Sequence, residues 1–300
     1  MLSKQDIIKE MGKGINIHPI HYSNIKENSI NLTVSRNAWA LKSEKIYVDA
    51  QGIFHIGNDS NAKSKYEIKK GGSSVIKLNG KRILVLLPHQ TTIVETSEVI
   101  SVSNYIGGTF HSKVGVVAMG IGHIGTMLGP NYCGHLMISL HNITDDIVIL
   151  NVGDTFISLA FHYLDTPVVT KTNSNISGHI DKLAELGIDI TKDTREYLTA
   201  DWKTSFEGVK NHMIQSNGYK AFRKETKSNN SALKMYINKE NIITVLAIIL
   251  IVVLLGVATY WIDNKRKTNE WVPRFWTLVI SGMLVPILIS RINYIKGNKR

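Results

Sequence analysis

The residues whose types and spacing could do chemistry fall between His111 and Asn142. GTMLGPNYCGHLMISLHN, Gly125–Asn142, makes a turn of glycine, proline and asparagine, adds an aromatic, and then alternates as a strand. On that strand His135, Ser139 and His141 share one face, because side chains repeat every second residue. The stretch holds no aspartate and no glutamate. A pocket built from it can donate and accept hydrogen bonds but has no carboxylate to move protons. The nearest acidic pair, Asp145 and Asp146, follows in a segment that reads as a solvated turn. Four histidines (His111, His123, His135, His141) lack the spacing of a zinc site. Cys133 is the single cysteine, which excludes a disulfide framework and fits a reducing compartment. GGSS at Gly71–Ser74 has neither the lysine nor the helix start of a phosphate-binding P-loop.

The elements that must position these residues are short. SINLTVS, KIYVDA, GIFHI, SVIKL, RILVLL, TTIVET, HLMISLHN, DIVIL and TFISLAFHYL run through residues 1–170, punctuated by Gly, Asn and Pro. That pattern predicts a mainly β barrel or sandwich over residues 1–170. Residues 179–215 change to helical spacing, with Leu183, Leu186, Tyr197, Leu198, Trp202, Phe206 and Val209 as the apolar positions. They fall in an expected helical connector over 171–240. A membrane module is expected over 241–300. Its helices would run from about 242 to 261 and from 275 to 290, the first free of charge and long enough to cross the hydrocarbon.

The net charge of +11 follows this division. Residues 220–300 hold 14 Lys/Arg against 4 Asp/Glu, whereas residues 1–219 hold 21 against 20. Cations beside apolar segments suit lipid headgroups, and no basic stripe or RNA-binding aromatic motif calls for nucleic acid. The N-terminus lacks the apolar stretch of a signal peptide, so a multi-pass inner-membrane location with the N-terminal part in the cytoplasm is expected.

With the strands placed, the order of motifs resembles the dUTPase-like superfamily, and within it deoxycytidine triphosphate (dCTP) deaminase. MLSKQDIIKEMGKGINIHPI resembles that family's opening helix and Gly-x-Ile-x-Ile-x-Pro strand, and ENSINLTV its Ser-Ile-Asp-Leu segment. RILVLLPHQTTIVETSEVISVSNYIGGTFHSKVGV resembles the Leu-x-Pro turn, Thr-x-Glu and phosphate-binding loop. GTMLGPNYCGHLMISLHN and LNVGDTFISLAFHYL match the base-and-sugar strand and the final strand.

The resemblance implies a homotrimer or higher oligomer with pyrimidine-nucleotide pockets between neighbours. Ser112, Lys113 and Gly115 would then face phosphate, and Thr126, Tyr132, Ser139 and Asn142 the base or sugar. It also exposes departures. Ser139 stands where a deaminase has its glutamate, and Gly129 where a dUTPase has a water-orienting aspartate. Val116 replaces the second arginine of the phosphate loop, and Ser158 the final-strand glutamine. Losing a general base and guanidinium clamps together leaves little catalysis. The expectation is a catalytically degenerate, cofactor-free binding module, with magnesium entering only alongside a nucleoside triphosphate. A sensor joined to a short membrane module also resembles effectors of bacterial antiphage defence, which implies a cyclic pyrimidine nucleotide such as cyclic UMP or cyclic CMP. The alternative is a membrane-anchored dCTP deaminase or dUTPase.

Overall fold

The computed structural model describes residues 1–123, 125–169, 179–228, 257 and 261. The chain divides into two compact units, Met1–Thr226 and Lys227–Arg300. In the first, α1 (Lys4–Glu10) starts at a capping box: Ser3 Oγ accepts from the Asp6 amide while the Asp6 carboxylate accepts from the Ser3 amide. Fourteen strands follow among the described residues: β1 (Ile15–His18), β2 (Ile30–Ala40), β3 (Glu44–Val48), β4 (Phe54–Ile56), β5 (Ser64–Ile68), β6 (Val75–Leu78), β7 (Lys81–Leu86), β8 (Gln90–Val102), β9 (Ile106–Ser112), β10 (Ile121–Gly122), β11 (Met127–Leu128), β12 (Cys133–Asn142), β13 (Val148–Asn151) and β14 (Thr155–Tyr163). The helix α2 (Val114–Val117) lies between β9 and β10. The chain continues through α3 (Ile180–Glu185), α4 (Lys192–Leu198), a 3-10 turn at Asp201–Lys203, α5 (Phe206–Gln215) and α6 (217–228).

The main sheet has the order β10-β12-β8-β2-β14-β9-β11, with β1 also paired to β8. Its edge strands β10 and β11 are consecutive in the chain, separated by residues 123–126. Four connecting residues span at most about 17 Å, so the sheet must curl until its edges nearly meet. This is a mainly β, barrel-like domain, as the strand pattern predicts. Two three-stranded sheets, β13-β7-β6 and β4-β3-β5, flank it.

The inside of the curl is apolar. Ile30, Leu32, Val94, Ile100, Leu136, Ile138, Leu140, Phe156, Leu159 and Phe161 are buried in one cluster. Side chains of opposite parity on β8 and β12 face outward, and α3–α5 cover part of that face. Ile93 and Met137 pack with Ile180, Leu183, Ile188 and Leu198, and Val99 and Cys133 pack with Val209 and Trp202. The helical period read over 179–215 is thus amphipathic cover for the sheet. Leu183, Leu198 and Val209 point in, whereas Leu186 is exposed.

No helix among the described residues is long and apolar enough to cross a membrane. The two expected spans, 242–261 and 275–290, lie outside the described residues apart from Val257 and Trp261.

Candidate functional site

The curl brings β9, β10 and β12 to one seam. β9 can lie tightly against β14 because of its glycines: a Cβ on Gly108 would meet Ala160 O at 2.8 Å and Leu159 Cδ1 at 2.8 Å. That pairing sets His111 opposite Ser158 and Ser112 opposite Ile157. The chain then turns through α2 and returns as β10, where Gly122 pairs with His141 and Ile121 with Asn142 of β12. Ser112 Oγ lies 2.6 Å from His123 Nδ1, which closes the seam. Thr109 Oγ1 contacts His111 Nε2 at 3.0 Å, and Thr91 Oγ1 contacts His141 Nδ1 at 2.8 Å.

Burial holds the His123 imidazole below the ordinary histidine value, and the neighbouring His111 and His141 add to this. At neutral pH His123 is therefore an uncharged hydrogen-bonding ring. Lys113 supplies positive charge at the seam, its ammonium donating to Thr155 Oγ1.

The residues singled out from the sequence separate into groups. Ser112 and Lys113 meet at the seam, and Ser139 lies one strand repeat from His141 on the same face of β12. Gly115 has open space where a side chain would be, as has Gly129. Thr126 sits beside β9 through its carbonyl, which accepts from the Phe110 amide at 3.2 Å. The side chains of Tyr132 and Asn142 point elsewhere. Tyr132 is packed in the core, and its hydroxyl donates to His135 O. Asn142 is buried with its amide group fully used. Nδ2 donates to Leu86 O (2.9 Å) and Asp146 O (2.8 Å), and Oδ1 accepts from the Thr144 amide and hydroxyl. These two side chains support the turn and core behind the seam.

Asp145 accepts from His89 Nε2 at 2.8 Å out in solvent. Ser158 donates to Asn31 Oδ1 at 2.8 Å. Among the described residues no group of three His, Cys, Asp or Glu is placed to hold a metal ion. Sequence reasoning set His111 and His123 aside for lacking zinc-site spacing, noted His141 as sharing a face with Ser139, and passed over Thr91 and Thr155. Their shared position comes from the sheet's closure, for which no local motif exists. Exposed apolar side chains surround the seam: Val114, Val117 and Met119 in and after α2, Met127 on β11 and Ile143 just after β12.

A family model described as dCTP deaminase-like matches residues 1–164. The chain belongs to this dCTP deaminase-like family. The match spans the whole barrel, from α1 through β14, and gives the domain a nucleotide-binding ancestry. Among solved structures, similarity extends to a 2'-deoxycytidine 5'-triphosphate deaminase from Agrobacterium tumefaciens (13% identity, TM-score 0.34, covering 62% of this chain and 51% of that one). It also extends to the dUTPase of Staphylococcus bacteriophage 80alpha (16%, TM-score 0.25, 30% and 77%) and to the native EIAV dUTPase (19%, TM-score 0.27, 36% and 89%). The chain thus spans about half the length of the Agrobacterium deaminase. No curated protein matches it in sequence. Of the departures that the resemblance implies, Ser139 lies on β12, Val116 in α2 and Gly129 just after β11.

Proposed function

We propose that this dCTP deaminase-like domain binds a pyrimidine nucleotide at the β9–β10–β12 seam without turning it over. It signals that binding to a membrane-embedded C-terminal module. One observation supports the reading: the seam holds a lysine, hydroxyls and the uncharged His123 ring, and on the resemblance Ser139 takes the place of the catalytic carboxylate. Lys113 offers a point charge to a phosphate, while Ser112 and Ser139 offer hydrogen bonds to phosphate, sugar or base. A serine hydroxyl cannot act as general base at neutral pH without an activating partner. Ser139 makes no hydrogen bond to a carboxylate among the described residues.

The exposed ring of Val114, Val117, Met127 and Ile143 supports an association of copies at this seam, and we propose a homotrimer. The uncharged run 242–261 and the apolar run 275–290 support a bilayer as the second partner. A cyclic pyrimidine nucleotide, cyclic UMP or cyclic CMP, suits a pyrimidine pocket with Lys113 as its cation, and an antiphage effector is the role that joins the two modules.

The test uses full-length protein with dCTP, dUTP, cyclic UMP and cyclic CMP in separate thermal-shift titrations, with ammonia and pyrophosphate measured in parallel. A saturable shift with at least one of them and no released product is the expected result. Ammonia or pyrophosphate release proportional to enzyme would establish the deaminase or dUTPase alternative. The absence of any shift would remove the binding role. Membrane potential in cells expressing the chain, with and without a pyrimidine nucleotide cyclase, tests the effector step.

A further inference from the structure

Outside the seam, the outward face of β8 and β12 carries two buried ionisable groups that do not touch. Glu95 on β8 is fully buried, and neither carboxylate oxygen has a hydrogen-bond partner. Lys203, at the end of the 3-10 turn, is only 3% exposed. Its ammonium sits 3.1 Å from His135 Nε2, donates to Tyr197 O, and lies 3.3 Å from the centre of the Tyr197 ring. His135 Nδ1 is 3.0 Å from Thr96 O, so Nδ1 carries the proton and Nε2 is the acceptor for Lys203. No ion pair joins Lys203 to Glu95 among the described residues.

We propose that residues 179–215 form a strap over β8 and β12, held by its apolar contacts against an opposing electrostatic load from Glu95 and Lys203, and therefore opening locally more often as pH rises from the acid range. Removing either group from water is costly unless a direct partner compensates; here Lys203 has only neutral groups and a ring face, and the Glu95 carboxylate has no hydrogen bond. The apolar contacts of Ile180, Leu183, Leu198 and Val209 do the holding. Release would bare Ile93, Val99, Met137 and Trp39.

The charged and titratable groups around the pair come from every packed element. They are Tyr132 just before β12, Cys133 and His135 of β12, Arg36 of β2, His18 of β1, Tyr197 of α4, His212 of α5 and His179 before α3. His135 and His18, pushed down by burial to about 3 and about 4, stay neutral through the range of interest. Burial raises Glu95 well above its ordinary 4.5, so the docked strap keeps a proton that the released strap loses. Raising pH from 4.5 therefore favours release. Burial lowers Lys203 from 10.5 to about 8, so in that upper window the docked lysine is neutral while the released one is charged. Raising pH further favours docking. Opening therefore rises with pH from the acid side, and the Lys203 contribution turns against it above about 8.

Cys133 reports on the strap directly. It is the only cysteine, it is buried, and its thiol donates to Lys203 O at 3.2 Å. The experiment measures labelling of Cys133 in the full-length protein by a disulfide reagent from pH 5.5 to 9.5, divided at each pH by the rate on the urea-unfolded chain. The ratio should rise from pH 5.5 to about pH 8, stop rising or fall above that, and be insensitive to low urea, as local opening requires. The double variant Glu95→Met/Lys203→Met, which removes both charges, should label about tenfold more slowly at pH 7.5. A flat ratio, a minimum near neutrality, faster labelling of the double variant, or a urea dependence equal to that of global unfolding would each overturn the proposal. Its success or failure is independent of whether the seam binds a nucleotide.

Discussion

Glu98 offers a sharp test of how buried charge is managed in this barrel. It lies on β8, 1% exposed, where two extra residues of β8 face Leu136 and shift the register against β12. Its carboxylate accepts from the Thr33 amide and from Thr33 Oγ1, each at 2.9 Å. Burial outweighs these bonds and raises its pKa from 4.5 to about 7. The folded chain therefore binds a proton between those values that the unfolded chain has lost, and stability falls as pH rises through that window. The gap between the two values amounts to about 3 kcal/mol, fully felt above pH 7 and absent below 4.5. Glu98→Gln keeps the shape: one side of the amide accepts from the Thr33 amide, and the other donates to the Thr33 hydroxyl, which can rotate to accept. The variant should match the wild type near pH 4.5 and exceed it by about 3 kcal/mol at pH 7.5. Urea titrations of the full chain scored by pulse proteolysis at the two pH values give the comparison. A difference that does not change with pH would refute the assignment of this titration to Glu98, as would a variant weaker at both values.

Three further outcomes follow from the seam and its support. Lys113→Met should weaken binding of cyclic or triphosphate pyrimidine nucleotides by about tenfold in calorimetry. It should leave the unfolding midpoint unchanged, because the lysine's structural bond is a single one to Thr155. Asn142→Ala should cost about 2–4 kcal/mol in urea titration, because it frees the buried Leu86 carbonyl, the Asp146 carbonyl and the Thr144 donors together. Gly108→Ala should cost about 1–3 kcal/mol by the same measurement, because the new methyl meets the Ala160 carbonyl 2.8 Å away and backbone must move.

Much of the fold is legible because strand burial writes itself as alternation. HLMISLHN and TFISLAFHYL fall on β12 and β14, and RILVLL on β7. β5, Ser64–Ile68, escapes notice because only Ile68 is fully buried and Lys65 and Glu67 face out. IGGTFHS, which forms β9, is missing from the strand-like runs because its paired glycines, which admit β14, lower its strand propensity. Of the candidate site, the residue types of Ser112, Lys113 and Ser139 can be read from the sequence, whereas the burial of the Tyr132 and Asn142 side chains in the core and a turn appears only with the packing.

The charged pair beneath the strap shows why the remainder is hidden. Glu95 sits in a strand whose alternation marks it as outward, and Lys203 in a short turn between two helices. Each reads as a solvated surface charge when its own segment is considered alone. Only the packing of residues 180–215 across β8 and β12 turns both into interior groups, and that packing is driven by apolar residues several positions away in sequence. The same argument applies at the seam, where His123 meets Ser112 because two sheet edges close on each other. Chemistry set by one segment can be read from that segment, whereas chemistry made by closure depends on the apolar positions that decide which faces come together.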